Sequence, residues 1–276
     1  MYPLTTLVLT PTLGVSPYLD ETVRGVAALG IPTLHVISAP AGRLGELQER
    51  YPSTRVVEDA GKSGGIYGAL NAGLKASPEG WEWFTYINDD DLLLPRFGEL
   101  VLRHVGQPSP EAVAYGDVEL VREDGRVVSR VTNERSPAWI PALLQQGISP
   151  LMQQGMLFNR ESVVRLGGFE TRYRLCADLD FWLRAYAGGD RFRHYALVAA
   201  RFRMRKGQLS SETSRTIREQ DEIVARLLPS RIPRALRTWA RWRYRVCNLP
   251  RYLERIRSSG WRTSYELLAS GASPSK

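Results

Sequence analysis

The amino-terminal third of the chain switches repeatedly between two hydrophobic periods. Leu4 to Thr10 is an apolar, β-branched run that ends at Pro11-Thr12-Leu13-Gly14, as a strand running into a loop does. Tyr18 to Leu29 carries apolar residues at helical spacing, and Gly30-Ile31-Pro32 stops it. Thr33 to Ile37 predicts a second strand, Leu44 to Tyr51 a short helix, and Thr54 to Val57 a third strand. Gly65 to Ala76 predicts a helix and Trp83 to Ile87 a fourth strand. Strands alternating with helices at this interval predict a mostly parallel sheet with right-handed crossovers. After Pro95 the rhythm changes. Phe97 to Val105 reads as a helix, and Ala112 to Leu120 with Val127 to Val131 as an antiparallel pair turning at Glu123-Asp124-Gly125. Met156 to Asn159 is strand-like, Leu179 to Ala187 helical, His194 to Met204 extended, and Leu209 to Leu228 a long helix before Pro229 and Pro233. The expected fold class is therefore α/β, with helices on both faces of the sheet, a small antiparallel element and a C-terminal helical tail.

Composition narrows this only at the ends. A chain of 276 residues that is 43% apolar suffices for one large α/β domain or two closely packed parts. The pattern divides it into 1–110, 111–230 and 231–276. No run of about 18 apolar residues occurs, so no transmembrane span is expected. The start reads as a first strand rather than a signal peptide. Two cysteines, Cys176 and Cys247, make no disulfide framework, and the expected location is cytoplasmic. The net charge of +8 is uneven: residues 231–276 hold ten Arg and Lys276 against Glu254 and Glu266, a sum of +9, leaving the rest near −1. In that tail Arg231, Arg234, Arg237, Arg241 and Arg245 recur every three or four residues, as do Ile232, Leu236, Trp239, Trp242 and Val246. Such a basic amphipathic helix lies on an anionic membrane, peripherally on its inner face, or packs its tryptophans on the domain, and the two are compatible. Nucleic acid is not an expected partner, because the rest of the chain is neutral and holds no recognisable nucleic-acid module.

The candidate chemistry centres on Asn88-Asp89-Asp90-Asp91, at the carboxyl end of the fourth strand. Three adjacent carboxylates repel unless a cation or hydrogen-bond donors offset them. Ligands of open α/β sheets bind outside the carboxyl ends of strands, and oxygen clusters there suit Mg²⁺ or Mn²⁺ held jointly with a diphosphate. A solvated acidic turn is the plain alternative. Asp178 and Asp180 open a later helix, where either serves as a cap or dipole partner or points into a cleft. Gly64, Gly65 and Gly73 permit close backbone approach. Arg201, Arg203, Arg205 and Lys206 form an alternating basic strand that either closes over a diphosphate or is a solvated edge. Asp117 reads as structural or acceptor-side.

Four blocks, taken in order, resemble family 2 glycosyltransferases of the GT-A fold. They are Leu7-Val8-Leu9-Thr10-Pro11-Thr12; Gly65-Ile66-Tyr67-Gly68-Ala69-Leu70-Asn71-Ala72-Gly73, similar to the family's GIYDAMNKG; Asn88 to Pro95, similar to NSDDxLLP; and Gly167-Gly168-Phe169-Glu170 followed by Ala177 to Arg184, similar to GGFDE…EDYDLWLRL. The resemblance implies an inverting, metal-dependent sugar transfer from a nucleotide-diphosphate sugar, of UDP type or with dTDP or GDP instead. The acceptor it implies is a saccharide or a lipid-linked hydroxyl in cell-envelope polysaccharide or glycolipid synthesis. It implies donor contacts at Thr10, Pro11, Thr12, Ser38, Gly65, Asn71, Asn88, Asp89 and Asp90. Asp91 is the implied metal ligand together with Asp89, which reaches the ribose or a metal-bound water, and Asp178 is the implied catalytic base. Three departures stand out: Ser38 replaces a common Asp, Ser63, Gly64 and Gly68 replace Asp, Lys and Asp, and Gln154 replaces a His. Two other readings are a sugar-nucleotide nucleotidyltransferase, whose Gly-rich basic loop is missing from Pro11 to Ser16, and a catalytically silent membrane-surface module.

Overall fold

A computed structural model describes residues 5–59, 61, 64–205 and 213–253. Among the described residues nine strands form one sheet: β1 (Thr6–Pro11), β2 (Thr33–Ala39), β3 (Arg55–Glu58), β4 (Trp83–Tyr86), β5 (Leu92–Leu93), β6 (Val113–Val121), β7 (Val127–Val131), β8 (Met156–Asn159) and β9 (Phe192–Arg203). Their order is β3-β2-β1-β4-β8-β6-β9-β5, with β7 also on β6. The pairings run β1, β2, β3, β4, β6 and β9 in one direction and β5, β7 and β8 against them. The expected mostly parallel sheet with a small antiparallel element is what forms.

β1 is buried along its whole length, as a strand covered on both faces must be. Leu7 and Leu9 join a core with Tyr67 and Leu70 of helix α3 (Gly65–Ala76). Val8 points the other way, into a core with Phe97 and Leu100 of helix α4 (Pro95–Val105) and Val26 of helix α1 (Leu19–Ala27). One strand thus separates two hydrophobic layers. Gly98 makes the second layer possible: a side chain there would collide with the Leu29 carbonyl. The first layer also holds α7 (Ala177–Ala187), whose Phe181 stacks on Phe169 at 4.4 Å between ring centroids.

Three elements depart from expectation. Leu92–Leu93 leaves the acidic turn as β5, pairing with Arg201 and Ala200 of β9. Helix α5 (Ile140–Leu144) and helix α6 (Arg160–Leu166) fill stretches to which the pattern assigns no element. α6 has a readable start and stop: the Asn159 side chain accepts the Ser162 N–H, and Gly167 ends it at φ 72°. Helices α2 (Leu44–Arg50), α8 (Thr213–Leu227) and α9 (Arg234–Cys247) follow the pattern. The part of the long-helix expectation at 209–212, Lys206, and the tail beyond 253 lie outside the described residues.

Candidate functional site

A cleft of about 470 Å³ opens at the carboxyl end of β4. Asn88, Asp89 and Asp90 form one wall, Asp178 with Tyr67 and Leu175 another, and Gln153, Gln154, Phe202 and Arg205 a third. Four of the expected residues therefore meet: Asn88, Asp89, Asp90 and Asp178.

The acidic turn is held by donors from three elements. Asp89 accepts the Thr12 hydroxyl at 2.5 Å on one oxygen, and Thr12 in turn accepts the Gly14 N–H. Burial, followed by the neighbouring Asp90, raises the Asp89 pKa, and the Thr12 bond opposes the shift. Asp90 meets the Arg205 guanidinium at 2.6 Å. Asp91 is fully buried and sits behind the cleft wall. One of its oxygens accepts the Arg203 N–H at 2.8 Å; the other accepts Gln154 Nε2 at 2.9 Å and Asn88 Nδ2 at 3.4 Å. Burial and then Asp90 push its pKa well above the carboxylate range. Asp91, expected as the first metal ligand, thus reaches the cleft only if Gln154 turns aside. Asn88 Oδ1 is buried and accepts no bond among the described residues.

Asp178 stands at the opposite wall, half-buried, in the first turn of α7. One oxygen accepts the Leu179 N–H at 2.8 Å and the Tyr67 hydroxyl at 3.2 Å. The other has no partner among the described residues. Burial raises its pKa against those two bonds, which makes it a stronger base than an exposed carboxylate. Its loop is fixed by Glu219 of α8, whose carboxylate accepts the N–H groups of Arg174, Leu175 and Cys176 at 2.8–3.1 Å. Burial alone would raise the Glu219 pKa, but these bonds and Arg215 hold it below the usual value.

The remaining expected contacts are engaged elsewhere. The Thr10 hydroxyl bonds His35 Nε2 at 2.9 Å inside the sheet. Pro11 is the buried last residue of β1, in register with Ser38. Ser38 is buried, its hydroxyl has no partner among the described residues and would lie 3.0 Å from a Cβ on Gly73, and it does not line the cleft. Gly65 supplies a turn at φ 55° ahead of Tyr67. Asn71 spends its whole amide on Phe169: its Nδ2 donates to the carbonyl and its Oδ1 accepts the N–H, each at 2.8 Å. Asn71 is a clamp on the Gly167-Gly168-Phe169 turn rather than a donor contact. Asp180 is fully buried between Arg184, at 2.7 Å, and Arg226 of α8. Asp117 is likewise structural, bonded by Arg130, His194 and the Asn133 N–H. Of the basic strand, Arg201 pairs with Glu119, and Arg203 runs beneath the acidic turn to Glu21 and the Asp90 carbonyl. Among the described members only Arg205 reaches the cleft.

Reasoning from the sequence missed Tyr67 and Gln153 as cleft residues. Tyr67 lay inside the Gly-Ile-Tyr block and was legible as an aromatic two residues past the helix start. Gln153 carries no such signal; it donates to the Tyr86 carbonyl at 2.7 Å. Gly64 and Gly68 explain each other, since a side chain on Gly64 would lie 2.5 Å from the Gly68 Cα.

The backbone resembles several solved structures. S. aureus TarS 1–349, solved with UDP-GlcNAc, superposes with a TM-score of 0.61 at 16% identity, over 93% of this chain and 75% of that one. The chain has the GT-A fold. A GT-A mannosyltransferase from Pyrobaculum calidifontis, solved with GDP-Man and Mn²⁺, gives 0.57 at 17% identity over 98% and 80% of the two chains. Glucosyl-3-phosphoglycerate synthase from Mycobacterium tuberculosis, solved with Mn²⁺, UDP and phosphoglyceric acid, gives 0.52 at 15% over 81% and 78%. No protein-family model matches the chain, and no curated protein matches its sequence. In this GT-A chain the cleft occupies the position that the rule for open α/β sheets assigns to ligands, outside the carboxyl ends of β1 and β4.

Proposed function

We propose that this chain is an inverting, metal-dependent glycosyltransferase that moves a sugar from a nucleotide-diphosphate donor to a hydroxyl. The observation that carries the reading is Asp178. It faces the acidic turn across one cleft, one oxygen fixed by Tyr67 and the Leu179 N–H and the other open. An acceptor hydroxyl is far too weak an acid to ionise at neutral pH, so it needs a positioned base as its oxygen attacks the anomeric carbon. The hydroxyl proton passes to Asp178, the oxygen–carbon bond forms, and the bond to the diphosphate breaks with its electron pair. A single displacement of this kind inverts the anomeric centre. The solved neighbours bind UDP-GlcNAc, UDP and GDP-Man, which supports a nucleotide-sugar donor here.

The donor set at the acidic turn fits Mn²⁺ or Mg²⁺. It consists only of oxygens: the unpartnered Asn88 Oδ1 and the carboxylates of Asp89 and Asp90, with Asp91 behind Gln154. Among the described residues no three His, Cys, Asp or Glu side chains could enclose an ion by themselves, so substrate oxygens complete the shell, as is usual for these cations. The ion would supply charge to offset the departing diphosphate. Arg205 adds a fixed positive charge at the same wall. The acceptor is a saccharide or a lipid-linked saccharide, in line with cell-envelope polysaccharide or glycolipid synthesis.

The test is a panel of UDP-, dTDP- and GDP-sugars assayed for binding and hydrolysis with Mn²⁺, Mg²⁺ or EDTA. Binding should need the metal. Asp178→Asn should retain donor affinity and lose about 10²–10⁴-fold in transfer or donor hydrolysis. Turnover by Asp178→Asn at the wild-type rate removes the base assignment, and metal-independent binding of equal strength removes the metal.

A further inference from the structure

Among the described residues, helix α9 touches the body of the protein along one face. Ala240 and Tyr244 are buried against Ala142, Leu143 and Trp139. Arg243 pairs with buried Glu134, and Asn248 bonds both the N–H and the carbonyl of Thr132. The opposite face carries an unbroken apolar row. Trp239 is 60% exposed, Trp242 65% and Val246 62%, and Leu236 begins the row. These positions recur every three or four residues, so they lie along one side of the helix. The helix packs on the domain through Ala240 and Tyr244, and the exposed faces of Trp239 and Trp242 are turned away from it.

The charge around that row is of one sign. Arg234, Arg241 and Arg245 of α9 flank it, Arg243 being tied to Glu134 and the Arg237 Nε buried, and residues 229–253 contain no Asp or Glu. A second copy of this helix laid along the row would set arginine against arginine. An anionic surface is complementary both to the arginines and to the apolar row between them. Tryptophan in particular settles where hydrocarbon meets head groups.

We propose that the outer face of α9 docks on an anionic lipid surface, with Trp239, Trp242 and Val246 in the interface and the flanking arginines on lipid phosphates. No described helix is long and apolar enough to cross a membrane, so the helix lies in the plane of the surface. The residues that hold α9 lead towards the cleft: Asn133, next to Thr132, accepts the Met152 N–H, and Gln153 and Gln154 follow. Docking therefore sets the cleft at a fixed orientation to the lipid. The proposal does not depend on the transfer reaction and stands if another chemistry occupies the cleft.

The experiment is co-sedimentation of the full chain with vesicles of 30% phosphatidylglycerol in phosphatidylcholine, beside pure phosphatidylcholine vesicles. Binding is expected only to the first, falling as salt is raised. Trp239→Ala and Trp242→Ala should each weaken the partition coefficient roughly tenfold. Both side chains are exposed, so the thermal unfolding midpoint should not move. Brominated lipid should quench part of the wild-type tryptophan emission, and the double variant should lose that component. Equal binding by the double variant overturns the proposal and leaves the attraction to basic charge alone. Binding to neither vesicle, with a dimer in sedimentation equilibrium that the double variant abolishes, overturns it in favour of a second copy of the chain.

Discussion

Asp178 and Asp180 are two residues apart and meet opposite fates. Asp180 is sealed between two arginines, with one oxygen on each. Asp178 keeps one oxygen open to the cleft, and burial raises its pKa, so proton uptake there is within reach of the chemistry. The acid limb of the rate profile should therefore lie above the ordinary carboxylate range, with activity lost as pH falls through it. His35 gives a second pH dependence, in stability. Burial lowers its pKa to about 4, below its unfolded value of about 6.5. The unfolded chain then binds the extra proton, so stability is fully present above about pH 6.5 and is lost as pH falls towards 4. The loss reaches about 3 kcal/mol at most and then levels off. Urea unfolding at pH 7.5, 5.5 and 4.5 should show this loss in the wild type and less of it in His35→Gln. Parallel pH profiles would rule it out.

At the scale of elements, the Gly167-Gly168-Phe169 turn shows why a motif can be legible while its role is not. The sequence marks the turn and the Ala177 to Arg184 block that follows it. It does not show that Arg184 donates to the carbonyls of Leu166 and Gly168 while Asn71 grips Phe169 from α3. Such a clamp joins residues almost a hundred positions apart, and local periodicity carries no record of it. Gly168 sits at φ 94°, and a Cβ there would lie 2.5 Å from Asn71 Oδ1. Gly168→Ala should destabilise the protein by about 1–3 kcal/mol and loosen the stack of Phe169 on Phe181. Chemical denaturation checks the first outcome, and near-ultraviolet circular dichroism the second. The strands and longer helices were readable because they bury periodic faces. β5 and α5, with two and five residues, are too short to show a period. Thr10 and Ser38 were placed at the right strand ends, yet which way a side chain turns there depends on a neighbouring strand the pattern cannot supply.

For the whole molecule, the sheet and the C-terminal helix are joined by few but buried contacts. Glu134 is almost fully buried, and its carboxylate accepts from Arg243 and from the Ser136 N–H. Removing Arg243 strands that charge. Arg243→Ala should cost about 2–4 kcal/mol, and Arg243→Met should cost a similar amount, since the lost charge rather than the lost stem is the cause. Equal stability of either variant with the wild type, by thermal or urea unfolding, would show that the contact is solvated. The separation of basic tail and neutral body visible in the sequence is thus also a mechanical arrangement: one face of α9 is bolted down and the other left open.

Arg203 has a consequence in time as well as in space. Its side chain reaches Glu21, 182 residues earlier, and its backbone N–H holds Asp91 from a distance of 112 residues. The acidic turn therefore cannot take its final shape while the chain is still being made up to β8, because the strand that fixes it has not emerged. Closing loops of that length is slow compared with forming helices. On the ribosome the order is set: α1, α3 and the first four strands can assemble early and Thr12 can meet Asp89, but Asp91 lacks the Arg203 N–H until β9 slides in beside β6. A nascent chain halted before residue 203 should have much of its helix and none of its nucleotide affinity.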